Sequence, residues 1–149
     1  MPNTYTQLFI QVVFAVKGRE AVIPKANREV LHKYITAVLQ TDGHKMLAVF
    51  CMPDHIHILV GLNPAISISD MILDVKRAST NFINENNLIK GKFNWQKGYG
   101  AFSYSKSQLQ DVVNYVLNQE AHHQNITFLQ EFMELLKEHS IEFDQKYFL

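Results

Sequence analysis

Residues 8–16, LFIQVVFAV, are an almost unbroken apolar run with β-branched and aromatic side chains, which predicts a central strand. Pro24 then opens a helix. Val30, Leu31, Tyr34, Ile35, Val38 and Leu39 recur at helical spacing until Asp42-Gly43 stops them. HKMLAVFCM (44–52) reads as a second strand, Pro53-Asp54 as a turn, and HIHILVGL (55–62) as the returning hairpin partner. Residues 67–87 form a second helix. Ser67 with Asp70 makes its capping box, and Ile68, Met71, Ile72, Val75, Phe82 and Ile83 form its core face. Residues 91–105 have strand composition interrupted by glycines, a loop followed by a strand. Residues 107–124 and 128–140 are a third and a fourth helix, and the apolar tail IEFDQKYFL follows. The order β-α-β-β-α-β-α-α predicts an α+β, ferredoxin-like antiparallel sheet in one domain, with helices packed on one face.

The hairpin strand raises a chemical question. On a strand, residues i and i+2 point the same way, with Cα atoms about 6.6 Å apart. His55 and His57 therefore share a face, while Ile56, Ile58 and Val60 bury the other. Two imidazoles so placed reach one metal at ~2.1 Å. They do not close a metal site, and a short His-x-His motif has many accidental matches. In the third helix, Leu109, Val112, Val113, Val116 and Leu117 form the apolar arc, and Tyr115, Gln119 and His122 line up beside it. Periodicity leaves Tyr115 either a boundary tyrosine or a nucleophile with Gln119 one turn on. His122 lies on the Tyr115 stripe, as a supporting group or a phosphate contact. His123 points away, to surface or interface packing, and Asp54 is the turn residue after Pro53.

Composition narrows the class. No apolar run among the 149 residues reaches the ~20 needed for a membrane span. The start, MPNTYTQ, lacks a signal peptide's basic and apolar regions. One cysteine, Cys51 in an apolar run, implies a buried thiol in a reducing cytoplasm. Zero formal net charge argues against a general nucleic-acid coat protein. The charge is unevenly spread, however. Residues 76–106 hold six basic residues and one acid, and residues 111–149 hold seven acids and two lysines. A basic centre of this kind allows a local phosphate-binding surface.

Four segments occur in order: PDHIHILV (53–60), VKRASTNFINEN (75–86), FNWQKGYGAFSYS (93–105) and VVNYVLNQEAHH (112–123). This set resembles the single-tyrosine HUH transposases of the smallest bacterial insertion sequences, with their domesticated, palindrome-associated relatives. The likeness runs from about residue 5 to the C-terminus. The resemblance implies His55 and His57 as metal ligands, Gln119 completing the set, and Tyr115 as nucleophile. It implies a homodimer that cuts and rejoins single-stranded DNA near hairpins through a 5′-phosphotyrosine. The metal would be Mg²⁺ or Mn²⁺. Lys76, Arg77, Lys90, Lys92 and Lys97 are the phosphate candidates. Trp95, Tyr99 and Phe102 are candidates to stack on unpaired bases, with Trp95 equally a core residue. Gln11 stands where many relatives carry His. Two rival readings keep the same fold features: a non-catalytic nucleic-acid-binding module, and a metal phosphoesterase with a water nucleophile.

Overall fold

The computed structural model describes residues 3–147, so the last two residues of the expected apolar tail lie outside the described residues. Four strands are present among them: β1 (Phe9–Ala15), β2 (Lys45–Cys51), β3 (His55–Gly61) and β4 (Gly100–Tyr104). They form one antiparallel sheet in the order β2-β3-β1-β4. Helices α1 (Arg28–Thr41) and α2 (Ile68–Glu85) connect β1 to β2 and β3 to β4. This is the expected ferredoxin-like arrangement. Three further helices follow: α3 (Leu109–Leu117), α4 (Gln119–His122) and α5 (Phe128–Glu138).

Period-2 alternation divides the sheet into two faces. Ile10, Val12, Phe14, Ile56, Ile58 and Val60 form one face and pack under α1 and α2 with Leu31, Ile35, Leu39, Met71 and Val75. Ser67 caps α2 by accepting the Asp70 amide N–H at 3.1 Å, as its spacing predicts. Val30, expected on the core stripe of α1, is 44% exposed, and the buried neighbour is His32, whose Nε2 accepts the Cys51 amide N–H at 2.9 Å. Trp95 belongs to this core, its indole N–H donating to Ser79 Oγ at 2.8 Å.

The opposite face was expected to lack a helix layer, and here the structure differs. Leu59 and Ala48 meet Val112 and Val116 of α3, while Val13, Ala15 and Phe102 meet Phe128, Leu135 and Leu136 of α5. These strand positions are apolar too, so this face also needs burial. Phe102 is thereby core rather than a stacking surface, and Tyr99 remains exposed. Gly100 admits α5: a Cβ there would lie 2.6 Å from a ring carbon of Phe132.

Two outcomes test this packing. Gly100→Ala forces Phe132 off the sheet and should cost about 1–3 kcal/mol in urea denaturation; an unchanged midpoint would mean that α5 does not seat there. Burial pushes the Cys51 thiol up to about 12, against the opposing pull of Arg28. The native protein should therefore resist iodoacetamide at pH 8 and react only on unfolding, with rapid native alkylation excluding this core.

Candidate metal and nucleophile site

β3 turns His55 and His57 toward the α3–α5 face, and both are fully buried. Their rings lie 5.2 Å apart. Register sets what surrounds them: Ala15 is opposite His55 and Val13 opposite His57 on β1. These small side chains leave room for imidazoles. The third histidine is His123, just past α4, whose ring lies 4.6 Å from that of His55. Its side chain is only 8% exposed. The expectation of surface or interface packing for His123 is therefore corrected, because the chain turns back after α4 and carries the ring inward.

Each of the three rings has its Nδ1 against an oxygen acceptor. His55 Nδ1 donates to Asp54 Oδ1 at 2.6 Å, and His123 Nδ1 to the Ile126 carbonyl at 2.9 Å. His57 Nδ1 donates to Gln11 Oε1 at 2.7 Å, and the Gln11 amide N–H donates in turn to the Tyr104 hydroxyl at 2.7 Å. Asp54 is thus more than a turn residue, and Gln11 orients His57. Such outer hydrogen bonds fix the tautomer and leave Nε2 facing inward.

Glu131 of α5 fills the space that the three Nε2 atoms face. Its Oε1 lies 2.9 Å from His57 Nε2, 3.0 Å from His123 Nε2 and 3.5 Å from His55 Nε2. Its Oε2 accepts the Tyr115 phenol O–H, and His122 Nε2 is 3.4 Å away. Tyr115 meets the His57 ring edge-on at 5.7 Å. Gln119, fully buried, places Oε1 3.3 Å from His55 Nε2 while its amide N–H donates to the Tyr115 carbonyl. The expected helix over 107–124 is interrupted at Asn118 (φ −101°, ψ 25°), yet Tyr115, Gln119 and His122 still reach one site.

The electrostatics are those of a buried anion. Burial alone would raise the Glu131 carboxyl, but the contacts with His123, His55 and His57 hold it well below the carboxylate range. Burial drives His57 down to about 4, so it is neutral at pH 7. Burial opposes protonation of His55 as well, but Asp54 and Glu131 on either side outweigh it and raise its pKa. Burial and the adjacent Glu131 charge push the Tyr115 phenol well above its ordinary value. Tyr115 therefore rests as a neutral phenol, with a carboxylate already accepting its proton in a hydrogen bond. His55, His57, His123 and Glu131 each offer a ligand atom, all within 4.8 Å of one another, and could hold a metal ion.

The basic candidates separate. Lys76 donates its ammonium to the Gln96 and Gly98 carbonyls at 2.9 and 2.7 Å, a bracing role rather than a free phosphate contact. Arg77 lines the groove between α1 and α2, on the face opposite the histidines. Lys90, Lys92 and Lys97 are exposed and border neighbouring clefts shared with Lys17, and Lys97 also shares one with Arg19. Lys17 and Arg19 escaped the sequence reading; their signal is the KGR turn directly after β1. Glu131 escaped it too. Its signal is a carboxylate on the stripe Phe128, Glu131, Leu135, the apolar face of α5.

Comparison with known proteins identifies the family of the chain. The "Transposase IS200 like" family matches residues 4–119. The chain belongs to this family. Two solved structures share the fold of this IS200-like transposase. One is a protein of Deinococcus radiodurans R1 assigned as a transposase, with 22% identity and TM-score 0.64, covering 80% of this chain and 95% of its own. The other is a REP-associated tyrosine transposase bound to a REP hairpin, with 15% identity and TM-score 0.62, covering 85% and 74%. No curated protein matches the chain. The family match ends at Gln119, so His123 and Glu131 of this IS200-like transposase lie beyond it. No helix among the described residues is long and apolar enough to cross a membrane.

Gln11→Leu leaves the buried His57 Nδ1–H without an acceptor. It should cost about 1–3 kcal/mol in chemical denaturation, and unchanged stability would mean that Gln11 does not orient the ring.

Proposed function

We propose that this chain is a metal-assisted transposase that cuts and rejoins single-stranded DNA beside hairpins, with Tyr115 as its nucleophile. The observation that carries the proposal is the placement of the Tyr115 hydroxyl, within one carboxylate's span of His57, in a member of a transposase family. His55, His57 and Gln119, whose Oε1 lies 3.3 Å from His55 Nε2, would hold Mg²⁺ or Mn²⁺. Their donor set, two imidazole nitrogens and an amide oxygen, fits a divalent cation. When bound, such a cation supplies Lewis-acid polarisation of the scissile phosphate.

The chain's own residues account for the rest. Tyr115 Oη forms the bond to phosphorus and the P–O3′ bond breaks. The proton lost by the phenol balances the one gained by the departing 3′ oxygen. The product is a 5′-phosphotyrosine with a free 3′-hydroxyl, and the retained phosphoester makes rejoining possible without a nucleotide cofactor. Asp54 and Gln11 hold the imidazoles. Lys17, Arg19, Lys90, Lys92 and Lys97 form a basic rim for the phosphates of the strand, of the kind that sequence-independent contacts use. The hairpin-bound relative supports a hairpin substrate. The single buried thiol supports a cytoplasmic protein.

A homodimer joined at the exposed edge of β2 fits the sheet order. The polar link SYSKSQ (103–108) before α3 would let that helix dock on either subunit, and the family resemblance suggests that Tyr115 of one subunit works with His55 and His57 of the other; within the single chain Tyr115 adjoins its own His57, which favours a cis site.

Three variants and the wild-type protein test this reading. Tyr115→Phe should still fold, less stably because Glu131 Oε2 loses its phenol donor, and form no covalent adduct with a cleavable single-stranded hairpin on denaturing gels; an adduct would move the nucleophile elsewhere. His57→Ala should abolish cleavage in Mg²⁺ or Mn²⁺, and a mixture of this variant with Tyr115→Phe should stay inactive if each chain carries its own site. Product without any protein–DNA adduct in the wild type would favour a water nucleophile, and binding without product would favour the non-catalytic module. Lys92→Glu should lower hairpin affinity at all sequences and reduce the salt slope by about 1.

A further inference from the structure

Three imidazoles and one carboxylate form the core of the site, and their hydrogen-bond roles conflict unless positive charge, a proton or a metal ion, lies among them. Asp54 Oδ1, Gln11 Oε1 and the Ile126 carbonyl are acceptors, so the Nδ1 atoms of His55, His57 and His123 are the N–H side of each ring. In a neutral ring so oriented, Nε2 is a bare lone pair. All three Nε2 atoms are aimed at Glu131 Oε1, itself an acceptor, from 3.5, 2.9 and 3.0 Å. Four lone-pair donors crowd within 4.8 Å of one another, away from water. Like partial charges gathered in a buried site are costly. A dication satisfies all four together and also offsets the two carboxylates, Glu131 and Asp54, that flank the rings.

The spacing agrees. Ligands bonded at ~2.1 Å stand ~3.0 Å apart on an octahedron's edge and ~3.4 Å apart on a tetrahedron's. The contacts of Glu131 Oε1 with the three nitrogens span that range.

We infer that Glu131 and His123 join His55 and His57 as ligands of a first-row transition-metal dication, so that α5 closes the metal centre. Three imidazoles and a carboxylate select such an ion over Mg²⁺, which prefers an all-oxygen shell and retains its waters. Gln119, 3.3 Å from His55 Nε2, then stands beside the set as a further neutral oxygen rather than its essential third member. Glu131 Oε2 stays with the Tyr115 hydroxyl, so one side chain links the metal to the nucleophile. The inference rests on the proposed function only in taking this cluster as the metal centre.

Cobalt titration of the full chain tests it without any reaction. Co²⁺ should bind once per chain with the visible absorption of a low-coordinate, nitrogen-rich site. Equimolar Zn²⁺ should displace it, and a large excess of Mg²⁺ should not. Glu131→Gln nearly preserves shape, and His123→Ala removes a different ligand from a different segment. Each should weaken Co²⁺ binding at least tenfold, since loss even of an outer partner costs about 10–100-fold. Gln119→Ala should weaken it less. Thermal unfolding of each metal-free variant establishes that it is folded. Wild-type affinity in Glu131→Gln and His123→Ala, or failure of the wild type to bind Co²⁺, would overturn the inference. Adduct formation by the wild type keeps the transposase reading in that event. Tight Co²⁺ binding without adduct would leave the metal centre standing and remove the transposase reading.

Discussion

A carboxylate removed from water governs the histidine face. Glu131 is 1% exposed, and a charge so placed is stable only if its surroundings compensate it. That compensation comes from three separate segments: the His55–His57 strand, the α3–α4 region with Tyr115, His122 and His123, and α5 itself. Because one side chain contacts all three, the position of α5 and the geometry of the site are a single problem. Removing one partner of such a group typically costs about 3–5 kcal/mol, far more than an exposed pair. The exposed pair between Lys25 and Glu120 contributes little by comparison.

Apolar packing brings α5 to within reach. Phe128, Leu135 and Leu136 lie on Val13, Ala15 and Phe102, and Phe128 also stacks on the His55 ring at 4.5 Å. The sheet can accept this helix because it presents small residues there, Ala15 and Gly100 above all. The same strand that carries the histidines buries Ile56, Ile58 and Val60 under α1 and α2. A one-residue slip of β3 would exchange the two sets, placing imidazoles in the aliphatic core. Pairing with β1 on one side and β2 on the other, through seven and six register pairs, resists that slip.

Local rules and short-range patterns account for much of the molecule. The alternation of His55, Ile56, His57 and Ile58 determines which side chains share a face, whatever the strand packs against. The apolar periods of α1 and α2, the Ser67 cap and the Pro53-Asp54 turn depend on neighbours within a few residues, and they agree with the structure. The ordered motifs around His55, His57, Tyr115 and Gln119 were legible for the same reason, since each is a contiguous run. Tertiary structure decided what joins residues distant in the chain. Glu131 lies 74 positions after His57, and no local period couples them. A polar residue on the α5 stripe reads as an irregularity until the helix is docked. His123 differs from a surface histidine only because the chain turns after α4, and Lys76 differs from Lys92 only because the Gln96 and Gly98 carbonyls come within its reach. Periodicity states which way a side chain points along its own element; it contains no distance to another element, and the metal-binding cluster consists of such distances.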